Sequence, residues 1–153
     1  NIYTISCKRS KKNWVSVHEY SVSDFINALE IDDYSLIKAL EKFQQYGWIR
    51  KLKSEEPQLA EKLEEKLPDY NKKLALWVYG GFGGVSNNNL QLAKYILVYD
   101  ENNIHITHIK EYVNYILNNV EGQFRTPFRW TYPSGGKGER IQLKGKIKFN
   151  CLI

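Results

Sequence analysis

The sequence predicts a single α+β domain, with a basic, mainly antiparallel β-sheet built from the terminal segments and a helical block over residues 23–67. Three observations lead there. The last fourteen residues alternate, with Ile141, Leu143, Ile147, Phe149, Cys151 and Ile153 at odd positions and Arg140, Gln142, Lys144, Lys146, Lys148 and Asn150 at even ones. Successive strand side chains face opposite sides, so this segment has one apolar and one cationic face. After Ser23 the period becomes helical, with Phe25, Ile26 and Leu29 followed by Leu36, Ile37, Leu40 and Phe43. At 153 residues and 42% hydrophobic, the chain suits one core that buries about 70% of the unfolded surface.

In chain order, Ile2 to Cys7, the polar turn Lys8 to Asn13 and Trp14 to Tyr20 read as a hairpin with a cationic tip. Two amphipathic helices follow, parted near Ile31-Asp-Asp33, and Gly47 stops the second. Trp48 to Leu52 reads as a short strand, and residues 54–67 as a surface helix with Ser54 and Pro57 at its start. Leu74 to Tyr79 is an apolar run of strand length. It leads into Gly80-Gly-Phe-Gly-Gly84, whose glycines permit positive φ or close packing while Phe82 anchors the loop. Residues 90–107 fit either a helix over Leu90 to Leu97 or a hairpin of Tyr95 to Tyr99 with Ile104 to Thr107. A helix over 109–120, capped by Thr107, precedes the strand Phe128 to Tyr132, the turn Pro133 to Gly138 and the final strand.

Composition narrows the function classes. Two cysteines, Cys7 and Cys151, without zinc-type spacing point to a reduced setting, and no apolar run reaches the roughly 20 residues of a spanning helix. An intracellular, cytoplasmic protein without a membrane partner is expected. With no methionine, Asn1 is not a translation start, so a chain processed or excised from a longer one is expected. The net charge of +5 is segregated: residues 1–18 carry four cations and no acid, residues 19–70 set seven bases against twelve acids, and residues 124–153 set seven bases against Glu139. Clustered positive charge attracts polyanions whatever the fold.

The leading functional expectation is therefore a DNA- or RNA-binding domain, DNA favoured, that holds phosphates through the terminal hairpin and its glycine-rich turn. The cations are Lys8, Arg9, Lys11, Lys12, Arg125, Arg129, Lys137, Arg140, Lys144, Lys146 and Lys148, with Trp130 and Tyr132 available for stacking if exposed. A third class is an interaction module pairing through its last strand. The sequence does not set the oligomeric state.

Two local resemblances accompany this reading. Residues 24–49, with helices around Leu29 and around Leu36, Leu40 and Phe43 and the closing Gly47-Trp48-Ile49, resemble the helix-turn-helix of winged-helix DNA-binding domains. That resemblance implies that Tyr34, Ser35, Lys38, Lys42 and Gln45 face the bases. Gly138-Glu-Arg-Ile-Gln-Leu-Lys144 resembles the second half of the motif of restriction-type nucleases, in which an acid or glutamine stands two residues before a lysine on a strand. This second resemblance implies the enzyme alternative, with Glu139, Gln142 and Lys144 catalytic and Mg2+ as cofactor; without it no cofactor is expected. His105 and His108 stand three apart, on opposite faces of a strand, and read as surface histidines.

Overall fold

The computed structural model describes residues 1–10, 13–84 and 89–147, and the elements they form are α+β, as expected. Among the described residues six strands form two three-stranded sheets. In the first, β1 (Ile5–Arg9) runs parallel to β3 (Tyr95–Tyr99), which is antiparallel to β4 (Ile104–His108). In the second, β6 (Ile141–Gly145) is central, antiparallel to both β2 (Val15–Tyr20) and β5 (Phe128–Thr131). The opening hairpin is thus corrected: β1 and β2 are consecutive but enter different sheets. Their cross-strand partners are supplied from residues far along the chain, which the local pattern does not reveal.

The helical block begins with α1 (Val22–Leu29), closed at its start by a reciprocal capping box between Ser21 and Asp24. Asp33 caps α2 (Tyr34–Tyr46) through the amides of Ser35 and Leu36, and Gly47 ends it at φ 80°. Where a strand was expected after Trp48, the chain forms α3 (Ile49–Glu55). Pro57 then opens α4 (Pro57–Lys66), and Glu56 rather than Ser54 precedes that helix. The segment after Gly47 is therefore helical, and no wing hairpin follows the two helices among the described residues.

A second correction concerns Leu74 to Tyr79. These residues lie in α5 (Asn71–Gly80), where Leu74, Ala75, Trp77, Val78, Tyr79 and Gly80 are all buried. A helix buried on nearly every side loses its amphipathic signature, so its short apolar run imitates a buried strand. Of the two readings of residues 90–107, the structure has the hairpin, β3 with β4. The following helix, α6 (Ile109–Asn118), is capped by His108, whose Nδ1 accepts from the Lys110 amide, rather than by Thr107.

The core lies between the second sheet and the helices. Leu36, Leu40 and Phe43 of α2 share one buried cluster with Phe124, Phe128 and Trp130, and Ile141 and Leu143 of β6 belong to it too. The Trp130 ring lies 5.5 Å from that of Phe25 and 6.1 Å from that of Phe43. Its Nε1 donates to Thr126 Oγ1 at 2.9 Å, which satisfies the indole where water is excluded. Directly before this cluster, Gly122 sits so close to the chain that an added Cβ would meet Phe128 O at 2.2 Å and Thr126 O at 2.4 Å. Backbone carbonyls cannot move aside as side chains do. Gly122→Ala is expected to lower the unfolding free energy by about 2 kcal/mol or more in chemical denaturation. Gly135→Ala, with nothing within 4 Å of its added Cβ, carries only the strain of its φ of 74° and costs about 1 kcal/mol.

Candidate active-site cleft

Because β1 and β2 diverge into separate sheets, a cleft of about 1010 Å³ opens between them, walled by α1, α5 and the glycine-rich turn after α5. Ser6 and Lys8 enter it from β1. They are two residues apart and share the inward face, opposite Ile96 and Val98 of β3, while Cys7 lies on the exposed outer face. His18 and Tyr20 enter from β2, Asp24 and Asn27 from α1, and Trp77 from α5. The turn follows α5 closely: Gly81 and Gly83 have φ of 80° and 90°, and a Cβ at Gly83 would fall 2.7 Å from Ala28 O. Glycine there lets the turn press against α1 and close that side of the cleft.

The electrostatics of the cleft centre on Lys8. Burial lowers its pKa below the ordinary lysine value, outweighing an opposing pull from Cys7. The imidazole of His18 is pushed down to about 4, first by burial and then by the Lys8 charge. Tyr20 is shifted the other way, upward, by burial and by Asp24. The cleft therefore holds a desolvated cation, a neutral imidazole and a phenol that keeps its proton. Perturbed groups gathered in one concavity make it a functional-site candidate.

The residues singled out from the sequence are dispersed around this arrangement. Lys8 is in the cleft; Arg9 is exposed on the other face of β1, and Lys11, Lys12 and Lys148 lie outside the described residues. Gln142 and Lys144 project from β6 on the face opposite Leu143, together with Glu19 and Arg129, whereas His18 and Tyr20 share the Leu143 side. Lys144 lines a groove on that outer face with Trp14, Trp48 and Arg129, and the Arg129 guanidinium lies 4.5 Å from the centre of the Trp14 ring. Lys137 lies over Trp48 at 5.6 Å and over the half-buried Tyr132 at 5.8 Å. Arg140 pairs with Glu19, Lys146 pairs with Glu121, and Glu139 is exposed in the turn before β6. Arg125, exposed at φ 55°, lies by a separate hollow beside Glu121 and Gly122. Trp130 is only 3% exposed, so its condition for stacking is not met.

With one exception, nothing in the sequence pattern singles out Ser6, His18, Tyr20, Asp24 or Trp77. One signal was present: Ser6-Cys7-Lys8 repeats the spacing of a polar residue two before a lysine on a strand. Serine in place of the acid or glutamine concealed it.

Comparison with known proteins gives the family of the chain. The family model described as restriction endonuclease MspI matches residues 1–145. The chain belongs to the MspI restriction endonuclease family. Within the MspI family, it is 34% identical over 147 residues to the type II restriction enzyme BsuFI of Bacillus subtilis, covering 94% of this chain and 36% of that protein. It is 27% identical over 151 residues to the type II restriction enzyme MspI of Moraxella sp, covering 92% and 56% respectively. The chain thus spans between a third and three fifths of these relatives. The crystal structure of MspI with its cognate DNA superposes with a TM-score of 0.75 at 24% identity, over 94% of this chain and 57% of that one, which establishes the shared fold.

Membership in the MspI family overturns the leading functional expectation. The expected DNA- or RNA-binding domain acting through a basic hairpin gives way to the restriction-type alternative. The charge pattern was real, but charge is sequence-independent evidence for a polyanion and is silent on what happens to it.

The depressed His18 pKa also affects stability. Between the ordinary value of 6.5 and about 4, the unfolded chain binds a proton at this ring that the folded protein refuses, so stability falls as pH falls through that window. Urea midpoints at several pH values are expected to show this slope in the wild type, and His18→Gln is expected to flatten it.

Proposed function

We propose that this chain is the DNA-cleaving part of a type II restriction endonuclease and that phosphodiester hydrolysis takes place at Lys8. The observation that supports this most directly is the desolvated Lys8 ammonium, held beside Ser6 in the cleft between the sheets. Hydrolysis of a phosphodiester requires charge to be neutralised as it develops on the phosphoryl oxygens and water to be held in line with the leaving oxygen. A lysine already stripped of much of its water acts at low effective dielectric, so its field on a bound phosphate is stronger than that of a surface lysine. Unlike arginine, a lysine responds to burial with a lowered pKa, as Lys8 does. Ser6, on the same strand face, adds a hydroxyl able to donate to a phosphate oxygen or accept from that water.

Restriction enzymes of this family call for a divalent ion such as Mg2+. The donors here do not fit one by themselves: among the described residues no three His, Cys, Asp or Glu side chains converge. Asp24, the one carboxylate lining the cleft among the described residues, already accepts from the Ser21 amide at 3.0 Å and its hydroxyl at 2.8 Å. Magnesium commonly needs one or two free carboxylates in addition to phosphate and water. The chemistry assigned to this chain is therefore that of its own side chains.

The DNA contacts expected from the sequence divide accordingly. Arg129, Lys137 and Lys144, on or beside the outer face of the second sheet, hold phosphates and do not act on the reacting one. Arg140 and Lys146 exchange their surface carboxylate partners for phosphate at small cost, since exposed ion pairs are worth about 0–1 kcal/mol. The chain forms one folding unit in this reading, with its two sheets joined through α1 and α5.

The test uses the protein that carries this chain at full length, with plasmid DNA and Mg2+ or Mn2+. Lys8→Ala is expected to lower the cleavage rate by about a hundredfold or more while leaving duplex affinity within a few fold. Lys144→Ala is expected to weaken binding and reduce the slope of log affinity against log salt by about 1, with cleavage restored at saturating protein. Cleavage abolished by Lys144→Ala at saturation but retained by Lys8→Ala would move the reacting centre to Gln142 and Lys144.

A further inference from the structure

We propose that His18 is a second phosphate-contacting residue of the cleft, an uncharged N–H donor acting beside Lys8, and that Tyr20 is the positioning residue that fixes its tautomer. The proposal rests on the nuclease reading above. The Tyr20 hydroxyl and His18 Nε2 are 2.8 Å apart. Tyr20 is half-buried near Asp24, and both burial and the carboxylate oppose its ionisation, so its proton stays on the oxygen and is available to donate. Accepting that hydrogen bond at Nε2 leaves the proton of the neutral ring on Nδ1.

The ring is also held in place. Trp77 stacks on Tyr20 with centroids 3.9 Å apart and an interplanar angle of 22°, and the His18 ring lies alongside, 4.3 Å from Tyr20 at 21° and 6.5 Å from Trp77 at 16°. Phe25 meets the Trp77–Tyr20 pair edge-on, 5.1 Å from Trp77 at 88° and 6.2 Å from Tyr20 at 87°. The register of β2 against β6 shifts between Ser16 and His18, an irregularity of the kind that re-aims a side chain next to a functional site. The His18 ring is thus held by a near-parallel aromatic neighbour and a committed hydroxyl in the same concavity as a desolvated lysine.

The charges around the pair support a neutral donor. Lys8 of β1 faces His18 and disfavours a second cation; Asp24 of α1 acts on Tyr20; Glu19, the nearest acid on β2, lies on the other face and pairs with Arg140. A phosphodiester carries a single negative charge. One ammonium and one directional N–H match it without the repulsion that two adjacent cations would suffer before DNA arrives.

The deciding experiment combines long-range 1H–15N spectra of the labelled full-length protein with cleavage assays in Mg2+. The wild-type spectra should show His18 protonated at Nδ1 and untitrated down to about pH 5, and Tyr20→Phe should give a tautomer mixture with a pKa moved toward the ordinary 6.5. In cleavage, His18→Ala should lose about tenfold or more in kcat with duplex affinity within twofold, and His18→Asn, whose amide places an N–H near the position of Nδ1, should recover part of the loss. A proton found on Nε2, or titration near the ordinary value in the wild type, overturns the assignment whether or not the variants fold. Cleavage by the wild type with an unimpaired His18→Ala overturns the role of His18 alone. A wild type that cleaves no DNA with Mg2+ or Mn2+ overturns the nuclease reading, and the role falls with it.

Discussion

The separation of β1 from β2 is the constraint on which the site depends. Were these consecutive strands paired as a hairpin, Lys8 and His18 would belong to one continuous sheet and no cleft would open between them. Instead β1 pairs with β3 and β2 with β6, partners some ninety and about 125 residues further along the chain. Each pairing is secured by its own packing: Ile96 and Val98 of β3 are buried against the helices, and Ile141 and Leu143 of β6 face the core. The cleft is therefore a by-product of two separate burials, and the desolvation of Lys8 follows from being caught between them.

The aromatic residues connect this constraint to the rest of the fold. Phe25 of α1 touches Trp77 and Tyr20 on the cleft side and Trp130 on the core side, where Phe43 and Phe124 continue the contacts. One ring thus supports both the wall of the site and the interior of the domain. The capping box of α1 ties the same helix to the end of β2, since Ser21 directly follows Tyr20. Asp24 is engaged in that cap, which explains how a carboxylate can line the cleft while being committed to helix geometry. Precision at the site comes from residues that are also structural, so the boundary between stability and function is narrow here.

Much of the fold is legible in the sequence, for physical reasons that vary by element. α1 and α2 face a core on one side and water on the other, so their apolar residues recur at helical spacing, and β6 alternates because its two faces meet core and solvent. α5 is misread because it is buried nearly all round, and Ile49 to Leu52 because Trp48-Ile-Arg-Lys-Leu52 has the apolar ends of a strand and no helix cap. The site is harder to read than the fold. Cations show up in a charge count wherever they stand, whereas the convergence of Lys8, His18, Tyr20 and Trp77 exists only after three elements have been brought together. Lys144 was conspicuous because it stands in a row of like residues. Lys8 stood among the cations of a turn, and the polar Ser6 two residues before it was the one local mark of its place, with nothing to show that this lysine would be desolvated.

β1 pairs on one side with β3, in parallel, and its alternation places Ser6 and Lys8 inward and Cys7 and Arg9 outward. A slip of one residue in this register would exchange the two sets and present a thiol and a guanidinium to the cleft in place of a hydroxyl and an ammonium. Chemistry in this molecule is thus encoded partly as an alignment between strands. The bonds from the Lys94 and Tyr95 amides to Thr4 O, and from the Ser10 amide to Tyr99 O, bracket the strand at both ends and act as its vernier.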